Sequence, residues 1–167
     1  ALLAVKLIFE NIDEAWENGR NVRARRNMLR ASFCAGCAFS KSYVGYVHAI
    51  AHSLGGEYNV PHGLANAVIL PMMLEAYGKK IDRKLARLAI AAGLADEHTP
   101  CGEAAARFIR EIKEMKKRFG IGDRIPEIQE KDIPRLARYA DREVNPLYPV
   151  PVLMDAGELE KFYHRLR

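Results

Sequence analysis

Cysteine is scarce: Cys34, Cys37 and Cys101 are the only three in 167 residues. A low, odd count cannot form a complete disulfide framework, and it favours a reducing, cytoplasmic compartment. Cys34-Ala35-Gly36-Cys37 spells C-x-x-C inside a helical pattern, whereas a redox pair belongs at a strand-to-helix junction. No His follows to attach haem and no second pair completes a zinc site, so these thiols are expected to be small packing residues. Long apolar runs are missing too, since none reaches the ~18 residues of a membrane span. Ala1 to Ile8 is apolar, but acidic residues follow at once, with no basic segment before it and no cleavage pattern, so a secretory leader is not expected. No Met opens the chain, which starts inside a helical pattern, as a fragment would. No G-x-G-x-x-G phosphate loop occurs, and Gly55-Gly56 sits where a helix is expected to end, which makes a poor anion cradle.

What is present describes one soluble globular domain over residues 1–167, 49% apolar and 28% charged. The net charge is +5, with its densest run at Arg20, Arg23, Arg25, Arg26 and Arg30. That run carries no interleaved aromatics and no nucleic-acid motif. It is expected to be a solvated helix face, with no nucleic-acid or membrane partner.

Helical spacing recurs from end to end, and convincing strands do not appear. Leu2, Val5, Ile8, Ile12 and Ala15 mark one face of a first helix, stopped by Asn18-Gly19. Asn21 caps a second, whose Ala31, Ala35 and Ala38 would let another helix approach closely. Ser42 is expected to open a third, from Tyr43 to Leu54, ended by Gly55-Gly56, with Glu57 to Pro61 as a loop. His62 or Gly63 then starts an almost wholly apolar helix, the pattern of a domain centre, which Pro71 should kink or end. Asp82 is expected to cap the next, which stops near Gly93. Thr99-Pro100 opens a long helix ending at Gly120. Leu136, Ala137, Ala140 and Val144 mark a short one. A Pro-rich stretch follows, and Asp155 with Glu158 resembles a capping box for the last. The expectation is an all-α domain of about eight helices.

The chemistry concentrates between Gly45 and Pro71. Three of the five histidines fall there. His48 and His52 are four apart and share a helix face. His62 stands at the next helix start. A helix pair of this kind can aim imidazoles at one point, and imidazole suits zinc, iron, nickel and copper alike. A carboxylate is the usual companion for ferrous iron, and Glu57 is the nearby candidate. His98 and His164 are expected to be ordinary surface residues.

The same stretch resembles the iron-containing alcohol dehydrogenase family. The likeness is carried by Gly45, His48-Ala49, His52, Gly55-Gly56, Pro61-His62-Gly63, Asn66-Ala67 and Leu70-Pro71. It continues through Ala35-Gly36-x-Ala38-Phe39 and from Ala140-Asp141 to Asn145-Pro146, and so covers essentially the whole chain. The resemblance implies the helical C-terminal domain, without the family's dinucleotide-binding α/β domain. It implies a divalent metal, commonly iron and sometimes zinc, held by one Asp and three His. His48 and His62 match two of those four. The Asp-x-x-x-His helix that supplies the others has no counterpart here. His52 matches a position beside the metal and the nicotinamide, where it contacts the cofactor or relays a proton. The implied parent activity is hydride transfer between a small alcohol or aldehyde and NAD or NADP, with this chain alone inactive. Two other readings stay open on the residues alone. One is a non-enzymatic helical module acting through its basic surface. The other is a stand-alone metal site built from His48, His52 and His62.

Overall fold

The computed structural model describes all residues 1–167 and is all-helical. Eight α-helices follow one another: α1 Leu2–Glu17, α2 Val22–Ser42, α3 Tyr46–Tyr58, α4 His62–Tyr77, α5 Asp82–Ala91, α6 Cys101–Arg118, α7 Ile133–Val144 and α8 Ala156–Leu166. Short 3-10 turns cover Gly78–Ile81 and Glu130–Asp132. No helix is long and apolar enough to cross a membrane. The chain forms two compact units. One comprises Ala1–Tyr43 and Ile81–Phe108, the other Val44–Lys80 and Ile109–Arg167.

In the first unit α1 packs on α2 and on α5. Asn21 caps α2 as expected, its side chain accepting from the Ala24 N–H at 3.1 Å. Of the small residues expected at a helix contact on α2, Ala31 is buried and Ala35 and Ala38 are half-buried, while Ala24 is buried as well. The inward face of α1, however, is rotated from the expected one. Ala4 and Leu7 are buried, whereas Leu2 is exposed and Val5, Ile8, Ile12 and Ala15 are half-buried. Asn11 lies one turn beyond Leu7 and meets Asn27 of α2 at 2.9 Å. A satisfied amide pair on the contact face sets the roll of the helix where apolar spacing alone is ambiguous. Phe9 stacks on Phe108 with ring centres 5.7 Å apart.

The second unit holds the main core. Tyr46, Ala49, Ile50 and Leu54 of α3 meet Ile69 and Met73 of α4, Ile133, Leu136, Ala137, Ala140 and Val144 of α7, and Leu159 and Leu166 of α8. α3 packs on α4 and α7, and α7 on α8. The expected α7 stripe is fully buried. The capping box of α8 is present in both directions, with Glu158 N–H to Asp155 at 2.8 Å and Asp155 N–H to Glu158 at 3.0 Å.

Several expected boundaries move. Ser42 ends α2 and does not open α3, which begins at Tyr46. Gly55-Gly56 does not stop α3, and the helix continues through Glu57 to Tyr58. Each helical glycine costs roughly 1 kcal/mol relative to Ala. Tertiary anchoring of the last turn offsets this. The Tyr58 hydroxyl donates to Asp132 at 2.9 Å and accepts the Gln129 N–H at 3.1 Å. The stop comes at Asn59, in the left-handed region at φ 55°. Pro71 lies within α4 and does not end it. Asp82 is the first residue of α5, following Ile81 as cap, and makes no side-chain capping bond.

Candidate metal and hydride-transfer site

The helix pair α3–α4 places the three histidines together. His48 and His52 are successive turns of α3, and His62 opens α4. Ring centres lie 5.9 Å apart for His48–His52, 5.5 Å for His48–His62 and 5.3 Å for His52–His62. Two imidazoles on one divalent ion, at about 2.1 Å per metal–nitrogen bond and a tetrahedral angle, put their ring centres about 5 Å apart. The tilted His48–His62 pair, 51° between planes, is compatible with that arrangement. His52 and His62 are stacked, with only 16° between planes. Parallel rings can aim at one ion only when coplanar, and stacked rings are not. His52 is also committed elsewhere, its Nδ1 lying 2.8 Å from Glu143 Oε1. Accordingly, no group of three or more His, Cys, Asp or Glu donors surrounds a common point. The spacing and tilt of His48 and His62 are compatible with two ligands of a shared ion, and no third donor completes a site with them.

Electrostatics favour that use. Burial, and then the neighbouring His62 and His52, hold the His48 pKa below the ordinary imidazole value, while Glu143 opposes the shift. A neutral imidazole keeps a nitrogen lone pair for a cation. The Nδ2 amide of Asn66, one turn into α4, lies 2.9 Å from His62 Nε2 and donates to the His62 carbonyl at 3.0 Å. With the amide nitrogen facing it, Nε2 spends its lone pair on Asn66, so an ion on that nitrogen would have to displace the Asn66 contact. The Asn66 oxygen is buried without a partner.

Glu57, the carboxylate candidate from the sequence, is engaged by Arg135, which donates to it at 2.8 Å and to Asp132 at 3.0 Å. Those hydrogen bonds hold the Glu57 and Asp132 carboxyls below their ordinary pKa values. Glu57 therefore belongs to a surface ion-pair network and to no cluster of metal donors. Beside the histidines a cleft of about 450 Å³ is lined by Ala49, His52, Ser53, Arg135, Tyr139 and Glu143, among others. It includes His52 but neither His48 nor His62. Of the outlying histidines, His164 pairs with Glu130 at 3.3 Å on the surface, and His98 lies in the loop before α6. The three cysteines are unpaired.

Sequence reasoning missed Glu143, Asn66 and Arg135. Asn66 had a signal, since it lies four residues after His62 on one helix face. Glu143 had none, because 91 residues separate it from His52.

Fold and site together define a helical domain that presents clustered imidazoles from a helix pair. The family model "Fe-containing alcohol dehydrogenase family, C-terminal" matches residues 1–166, and the chain belongs to that family. It is 37% identical over 147 residues to the 1,3-propanediol dehydrogenase of Citrobacter freundii, covering 87% of this chain and 38% of that protein. It is 35% identical over 149 residues to the NAD-dependent methanol dehydrogenase of Bacillus methanolicus, covering 86% of this chain and 38% of the relative. The crystal structure of a 1,3-propanediol oxidoreductase superposes with a TM-score of 0.90 at 32% identity, over 99% of this chain and 44% of its own. An alcohol dehydrogenase from Oenococcus oeni gives a TM-score of 0.89 at 31% identity. The chain thus spans about two-fifths of the length of these relatives.

Proposed function

We propose that this chain is the metal-side domain of an NAD(P)-linked alcohol dehydrogenase acting on a small alcohol or aldehyde. His48 and His62 supply two of the ion's ligands, and His52 stands beside the nicotinamide as contact or proton relay. The observation that carries the reading is the tilted His48–His62 pair, 5.5 Å between ring centres, in a chain that matches the family's C-terminal domain. A divalent ion, iron by the family's description and zinc by the same ligand chemistry, supplies Lewis acidity that makes an alcohol hydroxyl easier to deprotonate. His52 is placed to take up such a proton, because an imidazole exchanges protons near neutral pH. A nicotinamide bound by the whole enzyme would accept the hydride, and the protein's part would be to orient it. A dinucleotide-binding domain and the remaining ligands belong to the rest of the enzyme, so this chain by itself should give no turnover with NAD or NADP.

Cobalt(II) titration of the chain, followed through the histidine ring signals by NMR, tests the assignment. His48 and His62 should shift together. His48→Ala and His62→Ala should each abolish the effect, and His52→Ala should leave the midpoint unchanged. An equal loss in His52→Ala would replace this reading with a stand-alone three-histidine site. NAD(P)-dependent alcohol turnover by the chain alone would refute the need for a second domain.

A further inference from the structure

We propose that Glu143 is the positioning residue of His52, fixing the tautomer and orientation of that imidazole; the mechanistic value of this rests on the placement of His52 beside the reacting centre. His52 stands on the second turn of α3 and Glu143 on the last turn of α7. The two helices pack on each other, and Ala49 of α3 and Ala137 and Ala140 of α7 are all fully buried. The two side chains meet at 2.8 Å, His52 Nδ1 to Glu143 Oε1. A carboxylate only accepts, so Nδ1 must carry the hydrogen. In the neutral ring the lone pair is then left on Nε2, the nitrogen free to take a proton. A base with its hydrogen on Nε2 would be useless from the same position.

Glu143 is itself held. The Tyr148 hydroxyl donates to the same Oε1 at 3.3 Å. Arg135, which also lines the cleft, donates to Glu57 and Asp132 instead. The arrangement matches the way a carboxylate sets the tautomer and aim of a catalytic or ligating imidazole in other enzymes.

The test is the tautomer of His52, read from long-range proton–nitrogen correlations of the nitrogen-15-labelled chain above the imidazole titration range, at about pH 8.5. Wild-type His52 should show the Nδ1–H pattern. Glu143→Ala should return it to the Nε2–H form that free imidazole side chains favour in water. Glu143→Gln should keep the Nδ1–H pattern, since the amide oxygen still accepts. Glu143 is partly exposed and Ala suits a helix interior, so both variants should fold, with unchanged helical circular dichroism as the check. An Nε2–H pattern in wild type, or no change in Glu143→Ala, overturns the proposal. A failed cobalt titration with the tautomer shift intact would refute the metal reading and leave the Glu143–His52 pair standing.

Discussion

Replacing Tyr46 with Phe removes one buried hydroxyl and leaves the shape of the core unchanged. Tyr46 is fully buried at the start of α3. Its hydroxyl donates to the Met154 carbonyl at 3.0 Å, with Asn145 Oδ1 a second acceptor at 3.3 Å, and accepts the Met154 N–H at 2.9 Å. It thereby ties α3 to the segment leading into α8. The two Met154 groups fare differently in the variant. The carbonyl keeps a donor, because Asn145 Nδ2 still reaches it at 3.0 Å. The N–H has no second acceptor. A buried donor left unpaired costs about 1–3 kcal/mol, and the lost hydroxyl bond adds about 1 kcal/mol, so the expected total is about 2–4 kcal/mol. For a chain of this length that corresponds to a melting temperature lower by roughly 5–15 °C. Urea unfolding supplies the free energy, and amide exchange at Met154 supplies the location, since that one amide should lose most protection. A loss under about 0.5 kcal/mol, with Met154 still protected, would show that another group or a water satisfies the N–H. That would refute the account of how this segment is held.

Two further outcomes follow from local chemistry. Asn59 ends α3 at φ 55°, so Asn59→Ala should cost about 1 kcal/mol and Asn59→Gly should be neutral or slightly stabilising, by urea unfolding. Lys116 is buried, and its ammonium meets the exposed Asp123 carboxylate at 2.8 Å. That hydrogen bond, and then the charge, hold the Asp123 pKa below the ordinary carboxylate value. A lowered folded-state pKa means stability present above the unfolded value and lost as pH falls through the folded one. Asp123→Asn should therefore be less stable than wild type at pH 7, with the gap closing as pH falls through the lowered Asp123 pKa. A gap that does not vary with pH would exclude the ion pair as its source.

The parts of the fold legible in the sequence are those decided within one helical turn. Asp155 and Glu158 specify their own capping box, because donor and acceptor lie three residues apart. Leu136, Ala137, Ala140 and Val144 show a stripe that is fully buried, and Asn21 announces the start of α2. The end of α3 was not legible. Gly55-Gly56 is a local stop signal, and it is overruled by Tyr58, whose partners Asp132 and Gln129 are 74 and 71 positions away. The roll of α1 depends likewise on Asn11 meeting Asn27, a pairing across two helices that apolar periodicity does not encode.

The same distinction separates the parts of the candidate site. His48, His52 and His62 were visible because helix periodicity and a short connection bring them together without help from the rest of the chain. Their different uses were not visible, because those depend on which other group each ring meets. Asn66 takes one nitrogen of His62 from within the same helix, and Glu143 takes one nitrogen of His52 from across the helix pair. The nearby carboxylate candidate in the sequence, Glu57, is drawn off by Arg135. Three clustered imidazoles thus do not make three equivalent ligands. The ring whose nitrogen is already held by a carboxylate, and which stacks on its neighbour, is suited to proton handling. The pair at a mutual tilt has the spacing that two ligands of one cation require, with the Asn66 contact on His62 to be displaced.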